Sequence, residues 1–189
     1  MKTPITLALF ALFSYSALAQ EATLARAAEL GCHRIERLRD LGRIDEAYVN
    51  KFQSLRIEEN STGGGKFKFF AFQASGSNGG AHQIELNLAA DGKVIGSHKE
   101  TKGTDGVAPQ WPDKDPVTLT ENGLHFVLEN GPINPEVAPF FNSLTEVVIA
   151  QVQENGQTLA RVQFKNSQSA KVLEVTLKAD GTVVSNVIR

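Results

Sequence analysis

Two stretches of this chain are nearly the same stretch. Residues 84–94 read IELNLAADGKV and residues 173–183 read LEVTLKADGTV, with six of eleven positions identical at a shift of 89 residues. In each, apolar and polar residues alternate up to an Asp-Gly pair that tolerates positive φ, the pattern of a strand entering a tight hairpin. Whatever the chain folds into must hold that hairpin twice. At the same shift Ile133 to Leu144 align with Ile44 to Leu55, sharing Ile, Phe, Ser and Leu, and Gly131 matches Gly42. The spacing predicts an internal duplication. A loop of Asp91-Gly92 alone would set Leu88 opposite Ile95, and Leu177 opposite Val184, carrying the apolar face across each turn. Asp91 then serves as a turn former, not a ligand.

The segments around the hairpin complete a unit. Residues 22–41 carry Leu24, Ala28, Ile35, Leu38 and Leu41 at helical spacing, with Gly42 as the stop. Asp45 suits the cap of a second, short helix running through Ala47, Val49 and Phe52 to near Leu55. Strand patterns follow over 55–59, 66–74, 82–89 and 93–99, and again over 145–152 and 158–165, where Asn155-Gly156 supplies a turn. Residues 117–129 can be read as a hairpin about Asn122-Gly123. Asp115-Pro116 ahead of them favours a helix, Asp as the cap and Pro in the first turn. In that reading Leu124 and Val127 match Ile35 and Leu38. The expected fold is α+β, a tandem duplication of a helix pair with a four-stranded antiparallel sheet. Its boundaries are 20–100 for the first repeat, 101–116 for a Pro/Gly/charged linker and 117–189 for the second.

The N-terminus reads as an address. Lys2, the apolar run from Pro4 to Leu18 and the small-x-small Ala17-Leu18-Ala19 predict a signal peptide over 1–19, cut after Ala19. The run is short beside the about 20 apolar residues of a membrane span, and none is expected once it is removed. That places the chain in the periplasm or outside the cell. Formal net charge is −2, and becomes −3 without Lys2, so no basic face for nucleic acid is expected. Cys32 is the only cysteine. It precedes His33, but adjacent helical residues point apart, so a buried small hydrophobe is expected there and not a nucleophile.

The pattern carries no catalytic constellation. His33, His82, His98 and His125 show no zinc-ligand spacing, and no GxSxG surrounds Ser61, Ser75, Ser77 or Ser97. Gly63-Gly64-Gly65 lacks the Lys-Ser/Thr of a phosphate loop. Asp113 and Asp115 lack the spacing of a calcium loop. Asn60-Ser61-Thr62 is a glycosylation sequon only in a eukaryotic secretory pathway. No catalytic residue, metal ligand or cofactor is predicted. The binding residues expected are Trp111, the lone tryptophan, and Glu85, Asn87, Glu174 and Thr176 on the polar sheet face. For Trp111 the alternative is packing in the seam between halves.

The repeated ADGK/ADGT hairpin resembles the strand–turn–strand of PepSY-type domains, small bacterial envelope modules. The tandem helix-pair and four-strand order is similar to the beta-lactamase inhibitory proteins. Both resemblances imply a secreted or periplasmic, non-catalytic protein that binds or inhibits another envelope or extracellular protein. The competing reading is a secreted hydrolase or metal-dependent enzyme. It requires at least two of the four histidines to reach a carboxylate, with the site converging from both halves.

Overall fold

The first helix, α1 (Leu24–Asp40), forms where the sequence repeats small and apolar residues on one stripe. The Thr23 side chain accepts from the Arg26 amide at its start, and Gly42, at φ +61°, turns the chain at its end. Ala25, Ala28, Cys32, Ile35 and Leu38 are buried, whereas Leu41 falls past the last turn and is exposed. In the computed structural model, which describes residues 21–76 and 79–189, the stretch 1–19 expected to be a signal peptide and Ser77 lie outside the described residues.

A single turn, α2 (Ala47–Asn50), follows, its first amide donating to Asp45 Oδ1 at 2.8 Å. The expected continuation to Leu55 does not occur. Phe52 and Leu55 belong instead to β1 (Phe52–Glu59), which pairs with β2 (Phe67–Gln73), so the ladder outcompetes the helix there. Next come β3 (Gln83–Leu88) and β4 (Val94–Thr101). The same order then recurs: α3 (Pro116–Asn130), α4 (Ala138–Asn142), β5 (Leu144–Glu154), β6 (Gln157–Asn166), β7 (Val172–Lys178) and β8 (Val183–Ile188). Residues 117–129 are helical as the Asp115-Pro116 signal indicates. Asp115 Oδ1 accepts from the Val117 and Thr118 amides, both at 2.9 Å. Segment 101–116 spans the gap between β4 and α3.

Instead of two four-stranded sheets there is one antiparallel sheet of eight strands, in the order β4-β3-β2-β1-β5-β6-β7-β8. The fusion occurs because β1 and β5 pair with each other, through Ser54↔Val148, Leu55↔Val147 and Arg56↔Glu146. Helices cover one face. Ile84, Leu86 and Leu88 of β3, Leu55 and Ile57 of β1, and Leu173, Val175 and Leu177 of β7 point into that single core. At Gly31 a Cβ would lie 2.3 Å from Phe69 Cδ2, so glycine is what lets α1 settle onto β2.

The two matching hairpins adopt a different register from the one expected. Leu88 pairs with Val94 and Leu177 with Val183, so Ile95 and Val184 are not their partners. The Ala89 amide bonds the Lys93 carbonyl and the Lys178 amide bonds the Thr182 carbonyl, which makes each loop three residues long. Gly92 and Gly181, at φ +81° and +89°, occupy the left-handed position such a loop requires. Each hairpin then carries a bulge, between Glu85 and Asn87 and between Thr176 and Leu177, so the shift is local to the turn, where Ile95 and Val184 emerge exposed. Asp91 and Asp180 are turn formers: their Oδ1 atoms accept from the Lys93 and Thr182 amides. The Lys93 side chain and amide hold Asp91 below its usual range, and the Thr182 amide does so for Asp180.

The shift of 89 that relates the hairpins does not carry into the helices. It would equate buried Ile44 with Ile133, which is 80% exposed. A shift of 92 instead superposes the burial pattern of α1 on α3, taking Gly31 to Gly123, Cys32 to Leu124 and Ile35 to Val127. It also takes Leu55 to Val147, its own partner across the β1–β5 junction. Among the described residues no helix is long and apolar enough to cross a membrane.

Candidate functional site

Alternation along each strand gives the sheet a second face that no helix among the described residues covers. Cross-strand register builds it into rows. One runs Lys99, Glu85, Phe70, Arg56, Glu146, Lys165 across β4, β3, β2, β1, β5 and β6. The next runs Gln83, Phe72, Ser54, Val148, Gln163, Glu174, Val187 from β3 to β8. The first row alternates charge about an aromatic centre. The Arg56 guanidinium lies 4.5 Å from the Phe70 ring centroid, Lys165 Nζ donates to Glu146 Oε2 at 2.6 Å, and Lys99 Nζ is 3.9 Å from Glu85 Oε2. The second row is uncharged at its middle, with Phe72 and Val148 half-buried.

Of the sequence-predicted residues, Glu85 and Asn87 are half-buried on this face, in β3. Glu174 and Thr176 lie on it in β7, but both are only 5% exposed. Glu174 is engaged within the molecule: Arg161 Nε is 3.1 Å and Arg189 Nη2 3.6 Å from its Oε1, and Gln163 Nε2 donates to its Oε2 at 3.1 Å. Trp111 is not on this face. It is half-buried against the core, lining a groove with Phe52, Pro109 and Ile149 where β1 begins, and the Gln151 amide holds the connector beside it through the Gln110 carbonyl at 2.9 Å. That is the seam alternative. Sequence reasoning missed Arg56, Phe70 and Phe72, the centre of the face. For the two phenylalanines the signal was present in KFKFFAFQA, where Phe occupies both strand parities and so must supply both faces; Arg56 lies outside that stretch, in β1.

No protein-family model, curated protein or solved structure matches the chain. The resemblances to PepSY-type domains and beta-lactamase inhibitory proteins therefore rest on the residues quoted for them.

The histidines divide into two kinds. His82 and His98 each meet one carboxylate, Asp105 at 3.4 Å and Glu100 at 3.0 Å. The Gly103 amide donates to His82 Nδ1, which leaves the proton on Nε2. His33 and His125 instead converge from the two halves onto the contact between α1 and α3. His33 Nδ1 is 3.1 Å from Glu121 Oε1 and 3.9 Å from Glu36 Oε2, and His125 Nδ1 is 3.3 Å from Glu29 Oε1. Burial first, then the Glu36, Glu29 and Asp115 carboxylates, pushes Glu121 up to about 8. Cys32, buried beneath, has its thiol raised well above its ordinary value by burial and then by Glu121, Glu36, Glu29 and Asp115. A thiol so placed is no nucleophile at neutral pH, which agrees with the small-hydrophobe reading. The sequence analysis named no metal ligand; here ligand atoms of His33, Glu36 and Glu121 all lie within 4.8 Å of one another. Each helix carries Glu and His four apart, at 29/33 and 121/125, one turn above each other on the same side.

Proposed function

We propose that the chain is a secreted or periplasmic non-catalytic protein-binding module, an inhibitor or envelope accessory protein, and that the helix-free sheet face is its binding surface. The observation that carries this is the six-strand row from Lys99 to Lys165, built around Phe70 and Arg56 with Phe72 beside it. Such a surface combines features that concentrate binding energy: a half-buried Phe72, an arginine already stacked on the buried Phe70 and so restrained, and a surround of paired charge. The alternating signs favour a folded protein partner with the complementary alternation, since an evenly charged partner would meet repulsion at every second position. Signal-like residues 1–19 and the resemblances stated above agree with this reading.

We also infer that the two halves are tandem copies. The shift of 92 between α1 and α3, the shift of 89 between the hairpins, and the repeated element order support it. The difference between the two shifts falls in the loops between elements.

The test is retention of a partner on the immobilised chain from an envelope extract, followed by variants. Arg56→Glu with Phe72→Ala is expected to abolish retention, at a cost of about 2 kcal/mol or more for each hot-spot side chain. Ile133→Ser, outside the sheet, is expected to keep it. Absence of any retained protein, or equal retention by the double variant, overturns the proposal.

A further inference from the structure

On the helix layer, opposite the proposed binding face, α1 and α3 meet along a seam of unusual charge. Four carboxylates enter it: Glu29 and Glu36 from α1, Asp115 and Glu121 from the start and middle of α3. Two guanidinium groups answer them. Arg26 pairs with Glu29, and Arg39 Nη1 is 3.8 Å from Asp115 Oδ2. Arg39 is shared with Asp40, 2.9 Å from its Nη2, and among the described residues neither Glu36 nor Glu121 has a guanidinium or ammonium partner. The remaining group facing both of them is the half-exposed His33. His125, across the seam, faces Glu29.

Two further observations point to a ligand. The Glu121 side chain is 8% exposed and its Oε1 makes no hydrogen bond among the described residues, although His33 Nδ1 lies only 3.1 Å away. A buried carboxylate oxygen left without a donor is costly. A nitrogen and an oxygen at that separation, with no hydrogen bond joining them, are spaced as two donors on one cation. Tetrahedral bonds of about 2.0–2.2 Å place neighbouring donors about 3.3 Å apart. Second, ligand atoms of His33, Glu36 and Glu121 all lie within 4.8 Å of one another. Thr118 Oγ1 donates to Glu36 Oε1 at 2.7 Å, which fixes that carboxylate and leaves Oε2 turned to His33.

We propose that His33, Glu36 and Glu121 bind one divalent transition-metal ion of the zinc class, which ties α1 to α3. An imidazole in the donor set favours a transition metal over magnesium or calcium, whose shells are oxygen. Three protein ligands leave a position for water, and the exposure of His33 gives the ion its entry. Because Glu121 comes from one half and His33 and Glu36 from the other, the ion would bridge the halves.

Zinc titrated by calorimetry into chelator-stripped protein tests this, with thermal unfolding followed in parallel. The expected result is one ion per chain and a higher Tm with zinc. His33→Ala, Glu36→Gln and Glu121→Gln should each weaken binding roughly tenfold or more. His98→Ala, whose imidazole meets Glu100 alone, should bind as the unaltered chain does. Glu121→Gln removes a buried charge and retains the side-chain shape, so it keeps the test valid if His33→Ala perturbs folding. Circular dichroism without metal confirms that each variant is folded. Failure of the unaltered chain to bind zinc, or equal binding by His33→Ala and Glu121→Gln, overturns the proposal.

Discussion

Tyr48 shows how a single side chain can be read for its consequence. It is 4% exposed, its ring lies edge-on to His82, and burial first, then the Glu100 carboxylate, pushes its phenol from the ordinary 10.0 up to about 12. A folded-state value raised above the unfolded one means that the native protein holds this proton longer. The stabilisation is complete below pH 10 and is lost as pH rises from about 10 through about 12. Urea midpoints at pH 9 and pH 11 should therefore fall more for the unaltered chain than for Tyr48→Phe, which has no proton to lose. An equal fall in both would show that Tyr48 does not titrate with unfolding. None of this was visible in the sequence, where Tyr48 is one apolar residue in a short helix. Its neighbours His82 and Glu100 arrive from β3's approach and from β4, tens of residues away. Cys32 is the opposite case. Its place on the stripe with Ile35 was enough to predict burial, because the cause is local periodicity.

At the scale of elements the same division holds. The existence of α1, of α3 and of the strand pairs followed from period and caps. Their ends and registers followed from competition the sequence does not display: β1 claimed Phe52 and Leu55 from the helix, and a three-residue loop followed by a bulge left Ile95 and Val184 at the surface. The open face was legible as a polar parity of Glu85, Asn87, Glu174 and Thr176. Its aromatic centre was signalled only by Phe at both parities of KFKFFAFQA, and which pair faces outward waits for the register. The cap of α3 offers a test in which two effects separate. Asp115 accepts two amide hydrogen bonds but also adds negative charge to the seam containing Glu121. Asp115→Ala should cost about 1 kcal/mol through loss of the cap. Asp115→Asn keeps a capping oxygen and removes the charge, so it should be neutral or stabilising in metal-free protein. Chemical denaturation of the two variants side by side distinguishes them, and equal losses would show that capping is not what Asp115 contributes.

For the whole molecule, the decisive contact is the β1–β5 junction. The two four-strand runs share a ladder of three residue pairs, a helix seam and one core. Neither run can unfold without exposing a sheet edge and half of that core to water. The expected behaviour is a single cooperative transition, with far-ultraviolet circular dichroism and Trp111 fluorescence coinciding, since Trp111 packs at the start of β1. Separated transitions would show that the halves are independent. Leu55, fully buried at the junction, should be among the costliest truncations: Leu55→Ala is expected to remove about 2–5 kcal/mol and to shift both probes together.

The symmetry of that junction has a further consequence. Leu55 faces Val147, and the pairs on either side, Ser54 with Val148 and Arg56 with Glu146, are arranged as they would be between two identical chains related by a two-fold axis. The segment from Lys102 to Asp115 converts what would be an encounter between two molecules into an event within one. A tether of that kind gives the second half an effective concentration in the millimolar range. The joined protein therefore stays assembled at any dilution, whereas its halves supplied as separate chains would depend on how much of each is present.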